Sequence, residues 1–310
     1  MDGRTRRPPA RVPGRLVWKT WRMNRTGAEP WATAPAAVLA GVVGVMTDID
    51  DTLTREGAIE PAALAALYDL AAAGLPVIAI TGRPLGWSRP FAQAWPVAAI
   101  VAENGAVALI RDGRRVLTEY VQEAPTRAAN ALRLQAAAAR ILREVPGAAL
   151  AQDSPGRETD IAIDHSEFAD LPPAAIAHVV RVLHEAGLAA TVSSIHINGW
   201  IGSHSKWTAA QWMVRRLFGR SLQAEMQRWV YVGDSTNDQL MFEHLPLTVG
   251  VANLKRFADQ LQNWPAYITQ GERGLGFAEV ARALLEGQGQ QAVAAPESGA
   301  GVAVRRPAQH

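Results

Sequence analysis

No cysteine occurs among the 310 residues, which excludes disulfides, thiolate metal sites and a cysteine nucleophile. Such a chain sits easily in a reducing cytoplasm, and that is the expected location. No apolar run reaches the roughly 20 residues that a membrane-spanning helix needs. The nearest approach, Ala32 to Met46, follows a basic arm and so has the look of a signal-peptide core. Pro35 interrupts it, however, and it runs straight into Asp48, so cleavage there would remove the strand that carries the first motif. An excess of one charge is also missing, with 31 basic residues against 29 acidic ones. The distribution is uneven all the same. Residues 1–30 carry a local net charge of +6 and the tail from 287 adds +1, which leaves about −5 for the body. The high isoelectric point belongs to the arm, and a folded body that reads nucleic acid is not expected. There is no internal repeat. The ten tryptophans suit core and hinge packing better than base stacking.

What is present is a large apolar fraction, 48%, in an alternating order. Val42 to Asp50 is a continuous apolar run ending in acids, as a central parallel strand buried on both faces requires. Pro61 opens a helix that Gly74 stops, and Leu75 to Thr81 and Ala98 to Ala102 are further apolar strands. This βαβαβ order predicts a doubly wound α/β sheet, a Rossmann-like core. The rhythm then changes. Asp112-Gly113 marks a hairpin, and mixed helices and strands follow as far as Ile197. Lys206 opens another helix, Trp229 to Gly233 is again a buried strand, and Thr248 to Val251 and Tyr267 to Thr269 complete the sheet. The predicted organisation is a core of residues 39–105 and 202–286 with an inserted α+β cap of 106–201. A disordered basic extension (1–38) and a disordered tail (287–310) flank it.

Four short motifs fall at the ends of these runs: Asp48-Ile49-Asp50-Asp51-Thr52, Thr81-Gly82-Arg83, Lys206, and Gly233-Asp234-Ser235-Thr236-Asn237-Asp238. Ligands of open parallel sheets sit beyond the carboxyl ends of strands, so distant motifs share one crevice. A carboxylate there can attack phosphorus directly, the role given to Asp48. Asp50, two residues on and on the same side of an extended chain, is placed to protonate the leaving oxygen and later to deprotonate water. Lys206 and the Thr81 hydroxyl supply donors to the phosphoryl oxygens. Asp48, Asp234 and the Asp50 carbonyl offer hard oxygens suited to Mg²⁺, with Asp238 beside them to orient Lys206 or a metal-bound water. Thr52, Gly82, Arg83 and Asn237 are candidates for holding substrate. In the insertion, His196 and Asn198 share a strand face and are the preferred contacts.

This set resembles the haloacid dehalogenase superfamily of phosphatases and phosphotransferases over about residues 45–285, with all four motifs in order. The insertion after Glu103-Asn104-Gly105 is similar in position to the cap of the Cof-type subgroup. The resemblance implies a magnesium-dependent phosphatase. By it, Asp48 is nucleophile, Asp50 acid/base, Thr81 and Lys206 phosphate holders, and Asp234 a metal ligand. It also implies a small phosphorylated metabolite, a sugar or polyol phosphate, as substrate. Two competitors stand beside it: a phosphomutase or phosphotransferase on the same fold, and a non-catalytic protein whose arginine-rich arm grips nucleic acid or an anionic membrane. One departure is visible. The family usually has glycine where Asp51 stands, and an acid there is expected to add negative charge beside the site, favouring metal or disfavouring strongly anionic substrates.

Overall fold

Residues 27–294 are described by a computed structural model, with side chains to residue 289. The chain enters through a two-residue strand, β1 (Glu29–Pro30), and a short helix, α1 (Ala36–Ala40). β2 (Gly44–Thr47) leads to the first motif and then to a small ribbon, β3 (Thr54–Arg55) and β4 (Ala58–Ile59). Next come α2 (Pro61–Ala72), β5 (Val77–Ile80), α3 (Leu85–Ala94) and β6 (Ala99–Ala102). Pro61 takes the first helical position, where its missing N–H costs nothing, and Gly74 follows the helix end at φ +74°. A hairpin of β7 (Val107–Asp112) and β8 (Arg115–Tyr120) turns at Gly113, whose φ is +58°.

The inserted part holds α4 (Ala124–Glu144), β9 (Ala149–Leu150), β10 (Asp160–Asp164), α5 (Pro173–Glu185), β11 (Ala189–Val192) and β12 (His196–Trp200). The chain returns through α6 (Lys206–Phe218), α7 (Leu222–Glu225), β13 (Trp229–Gly233), α8 (Gln239–His244), β14 (Thr248–Gly250), β15 (Tyr267–Ile268) and α9 (Arg273–Ala294).

Nine strands form the main sheet in the order β1-β15-β14-β13-β2-β5-β6-β7-β8. All neighbours from β1 to β6 pair in parallel. β2, β5, β6 and β13 are buried at every position, which is why each reads as an unbroken apolar run. One apolar layer, with Leu67, Leu70, Val249 and Phe277, covers one face, and another, with Met46, Met213 and Tyr231, covers the other. The cap has its own four-stranded sheet, β11-β12-β10-β9, and its own core around Ile141, Ile163, Val182 and Leu183.

Three expected boundaries move. The hairpin belongs to the main sheet, where β7 pairs antiparallel with β6 from Ala99↔Ile110 to Ala102↔Val107, so the cap begins nearer α4 than residue 106. Residues 27–38, expected to be disordered, are ordered because β1 pairs with β15 and Trp31 is buried edge-on against Tyr267 at 5.5 Å. The tail expected from 287 continues α9 to Ala294, and Gln288 Nε2 donates to the Val42 carbonyl at 3.0 Å. The rest of the predicted extension and tail, residues 1–26 and 295–310, lies outside the described residues.

Candidate active site

β5, β2 and β13 are adjacent and parallel, so the residues just beyond them, Thr81, Asp48 and Asp234, meet along one rim. Lys206 is brought to the same rim as the first residue of α6, whose start is fixed by a capping box between Ser205 and Thr208. Its ammonium lies 3.0 Å from Asp48 Oδ1 and 2.7 Å from Asp238 Oδ1, and donates to Asn237 Oδ1 at 3.2 Å. One cation thus joins the first motif to the last.

Asp48, Asp234 and Asp238 are all buried and can bring one carboxylate oxygen each within 4.8 Å of the others. Their freedom differs. Both Asp238 oxygens are committed: Oδ2 accepts from the Asp234 and Ser235 N–H groups at 2.8 and 3.1 Å, and Oδ1 from the Tyr231 hydroxyl and Lys206. Among the candidate ligands, Asp238 therefore holds other groups in place and is not a free oxygen donor. Asp234 is the opposite case. Its Oδ2 accepts from Asn253 at 3.3 Å, while its Oδ1 is buried with no hydrogen-bond donor. Such an orphan is expensive unless a cation sits against it. The donor set fits a hard dication, with Asp48 and Asp234 to hold it.

Charge in this cluster is unbalanced without one. Burial pushes the Asp48 carboxyl up to about 7, against the pull of Lys206, and Asp238 and Asp50 push the same way. Burial, reinforced by Asp238, Asp48 and Asp51, drives Asp234 well above the carboxylate range. For Lys206 burial works against the charge, but Asp238 and Asp48 outweigh it and keep the ammonium protonated. The lysine stays cationic, and protons collect on the acids.

The Asp50 carboxylate points away from the cluster. Arg83 Nε donates to its Oδ1 at 3.0 Å, and the Thr81 hydroxyl stands 3.5 Å from its Oδ2. Thr81 Oγ1 in turn accepts the Arg83 N–H at 3.0 Å. Arg83 is buried over the Trp87 ring and reaches into the cap, donating to Asp153 at 3.1 Å and Glu167 at 2.7 Å. Glu167 also meets His196 Nε2 at 2.8 Å. Burial would raise the Glu167 pKa, but the bonds from His196 and Arg83 win and lower it to about 2.

Gly82 and Asn198 are drawn into this seam. The Gly82 carbonyl accepts from Asn198 at 3.4 Å and from Arg157 at 2.9 Å, so this residue meets the cap through its main chain. Asn104 and Asn198 both donate to Asp160, as does Arg157. Thr52 is fully buried, and its hydroxyl has no partner among the described residues.

Sequence reasoning missed Asp153, Arg157 and Glu167 in the cap, and Asn253, Arg256 and Arg273 beyond β14. Their contacts with the motif residues span 19 or more positions of sequence, and no local pattern marks them. Asp51 adds negative charge beside Asp234, as expected, but sequence reasoning missed that it is also paired, with Arg273 Nε at 2.6 Å and Arg256 Nη2 at 3.1 Å.

Comparison with known proteins supports the same assignment. The haloacid dehalogenase-like hydrolase family matches residues 45–134. A phosphoglycolate phosphatase from Methanothermobacter thermautotrophicus is 27% identical over 248 residues, covering 78% of this chain and 98% of that protein. Among solved structures, Thermoplasma acidophilum 0175 superposes with a TM-score of 0.60 at 15% identity, covering 79% of this chain and 98% of that one. The sucrose-phosphatase of Synechocystis sp. PCC6803, in complex with sucrose and phosphate, superposes with a TM-score of 0.56 at 15% identity, covering 78% of this chain and 97% of that one. Motif order, sheet topology and the family match over residues 45–134 agree in pointing to a haloacid dehalogenase-like hydrolase.

Proposed function

We propose that the protein hydrolyses a small phosphomonoester through an aspartyl phosphate on Asp48. The observation that carries this reading is the Lys206 ammonium, held between Asp48, Asp238 and Asn237 so that nucleophile and phosphate-binding cation face one point. An Asp48 oxygen attacks phosphorus, the P–O ester bond breaks, and Asp50 gives its proton to the departing oxygen. Asp50 then takes a proton from water, whose oxygen attacks the same phosphorus, releasing phosphate and restoring Asp48. Lys206, Thr81 and Asn237 hold the phosphoryl oxygens, and Thr52, with its buried unpartnered hydroxyl, is placed to join them. Mg²⁺, held by Asp48 and Asp234, neutralises charge on the phosphoryl group when bound. Thr81 and Arg83 fix the Asp50 carboxylate, and the cap excludes water from the crevice.

The substrate follows from the cap. Arg83 and Arg157 are already paired with Asp50, Asp153, Asp160 and Glu167, so neither of these two cations is spare for a second anion. His196 and Asn198 present hydrogen-bonding groups that suit hydroxyls. This favours a sugar or polyol phosphate over an acidic ester such as phosphoglycolate, the substrate in the name of the archaeal relative. With no cysteine in the chain, we place the reaction in the cytoplasm.

The test is phosphate release from a panel of phosphorylated sugars, polyols and carboxylic acids with Mg²⁺, beside Asp48→Asn. The expected result is turnover of neutral polyol esters with water as acceptor, lost in the variant while its fold persists. Substantial turnover by Asp48→Asn would remove Asp48 as the attacking group.

A further inference from the structure

Asp51 stands where the resemblance leads one to expect glycine, and the backbone shows why. Its φ is +53°, in the left-handed region that glycine enters freely and that, among other residues, asparagine and aspartate tolerate best. Its carboxylate is held on both oxygens, by Arg273 Nε at 2.6 Å and Arg256 Nη2 at 3.1 Å. The same Arg256 nitrogen lies 3.7 Å from Asp234 Oδ2. Asn253 ties the group together from the main-chain side. Its Nδ2 donates to the Asp51 carbonyl at 2.9 Å and to Asp234 Oδ2 at 3.3 Å, and its Oδ1 accepts the Arg273 N–H at 2.9 Å.

One guanidinium group, that of Arg256, therefore stands beside a wholly buried acid that has one oxygen free. We propose that Asp51 is a positioning residue that keeps Arg256 from competing with the divalent cation for Asp234. The inference rests on the metal assignment under the proposed function. Arginine does not lose its proton at any working pH, so its charge must be met by a partner. Without the Asp51 charge, Arg256, whose side chain is 46% exposed and whose Nε donates to the Asn253 carbonyl at 3.2 Å, would close on Asp234 Oδ2 from its present 3.7 Å. An incoming dication would then meet the Arg256 charge already seated on Asp234. With Asp51 in place, Arg256 is turned aside, Asn253 fixes Oδ2, and Oδ1 stays available.

Mg²⁺ titration by calorimetry on the metal-free full-length protein tests this directly. Asp51→Asn keeps the shape of the side chain and tolerates the same backbone, so it removes little but charge. It should weaken Mg²⁺ binding by about tenfold or more, as expected for a freed cation within a few ångströms of the ion. Adding Arg256→Gln to Asp51→Asn should recover most of that loss, and Arg256→Gln alone should not weaken binding. Asp51→Gly, whose backbone suits the turn, should behave like Asp51→Asn. Loss of affinity that Arg256→Gln fails to relieve would mean that Asp51 acts through local structure, and would overturn the proposal. Unchanged affinity in Asp51→Asn, with the unaltered protein binding Mg²⁺, would overturn it alone. An unaltered protein that takes up no Mg²⁺ would overturn the metal assignment and this inference with it.

Discussion

Asp238 takes four hydrogen bonds on two oxygens, and the space for them exists only because residue 233 is glycine. A Cβ on Gly233 would collide with the Asp238 carboxylate. Gly233→Ala should displace Asp238 and, through it, Lys206. Positional errors of about 1 Å at such a point cost roughly 10²-fold in rate, the loss expected in kcat for this variant. His204 makes a second residue-scale prediction. Burial lowers its pKa to about 4, and its Nε2 has no hydrogen-bond partner among the described residues. A depressed pKa means stability that is complete above the unfolded value of 6.5 and is lost as pH falls toward about 4. Between pH 7 and pH 4 this one group should therefore subtract up to about 3 kcal/mol from the unfolding free energy, read as the difference between the urea-derived pH profiles of the protein and of His204→Phe. His204→Phe should flatten that part of the profile. At this scale the sequence was readable where chemistry is local. The Asp48 and Asp234 motifs could be picked out because acids rarely follow runs of fully apolar strand. Glu167 and Arg157 could not, since their meaning comes from Arg83 and Gly82, 84 and 75 positions away.

Cap and core meet through elements that permit little adjustment. Gly86 near the start of α3 abuts Gly156 of the cap, and a Cβ on Gly86 would stand 2.9 Å from the Gly156 Cα. Gly86→Ala should hold the cap slightly open and lower kcat/KM by about tenfold or more, with little change in melting temperature. Steady-state kinetics beside a thermal melt decide it, and unchanged kinetics would show that the present closed arrangement is not the working one. Strands were legible in the sequence wherever both faces are covered, as in β2, β5 and β13. The hairpin was legible from Asp112-Gly113, but not its allegiance. Alternation within a strand says that one face is buried and does not say against which sheet. The N-terminal segment around Trp31 escaped because its order comes from α9 and β15, far along the chain, and its own Pro/Ala-rich composition carries no period.

For the whole molecule, protons and metal compete for one cluster. The Asp48 pKa rises from its ordinary 3.8 to about 7, so this group favours the metal-free fold fully below about pH 4, and that contribution fades as pH rises through 7. On the proposed metal assignment, Mg²⁺ would bind the ionised form. Its addition should raise the melting temperature more at pH 8 than at pH 5.5, and an equal gain at both would argue against metal on these acids. Length of chain matters at this scale too. Trp31 is buried at the outer end of the sheet, and Trp31→Ala should cost about 3–5 kcal/mol in chemical unfolding. A trimmed protein meant to isolate the effect of the basic arm should therefore begin at residue 27 and not at 39.

The border strand Glu29–Pro30 carries a further implication for solubility. A sheet whose outermost row is long and bare recruits other copies into fibres, whereas a row two residues long that ends in an imino acid offers a newcomer almost no ladder to extend. Glu29 and Pro30 thus act as a selvedge for the fabric behind them, and stripping them should show first as clumping on storage.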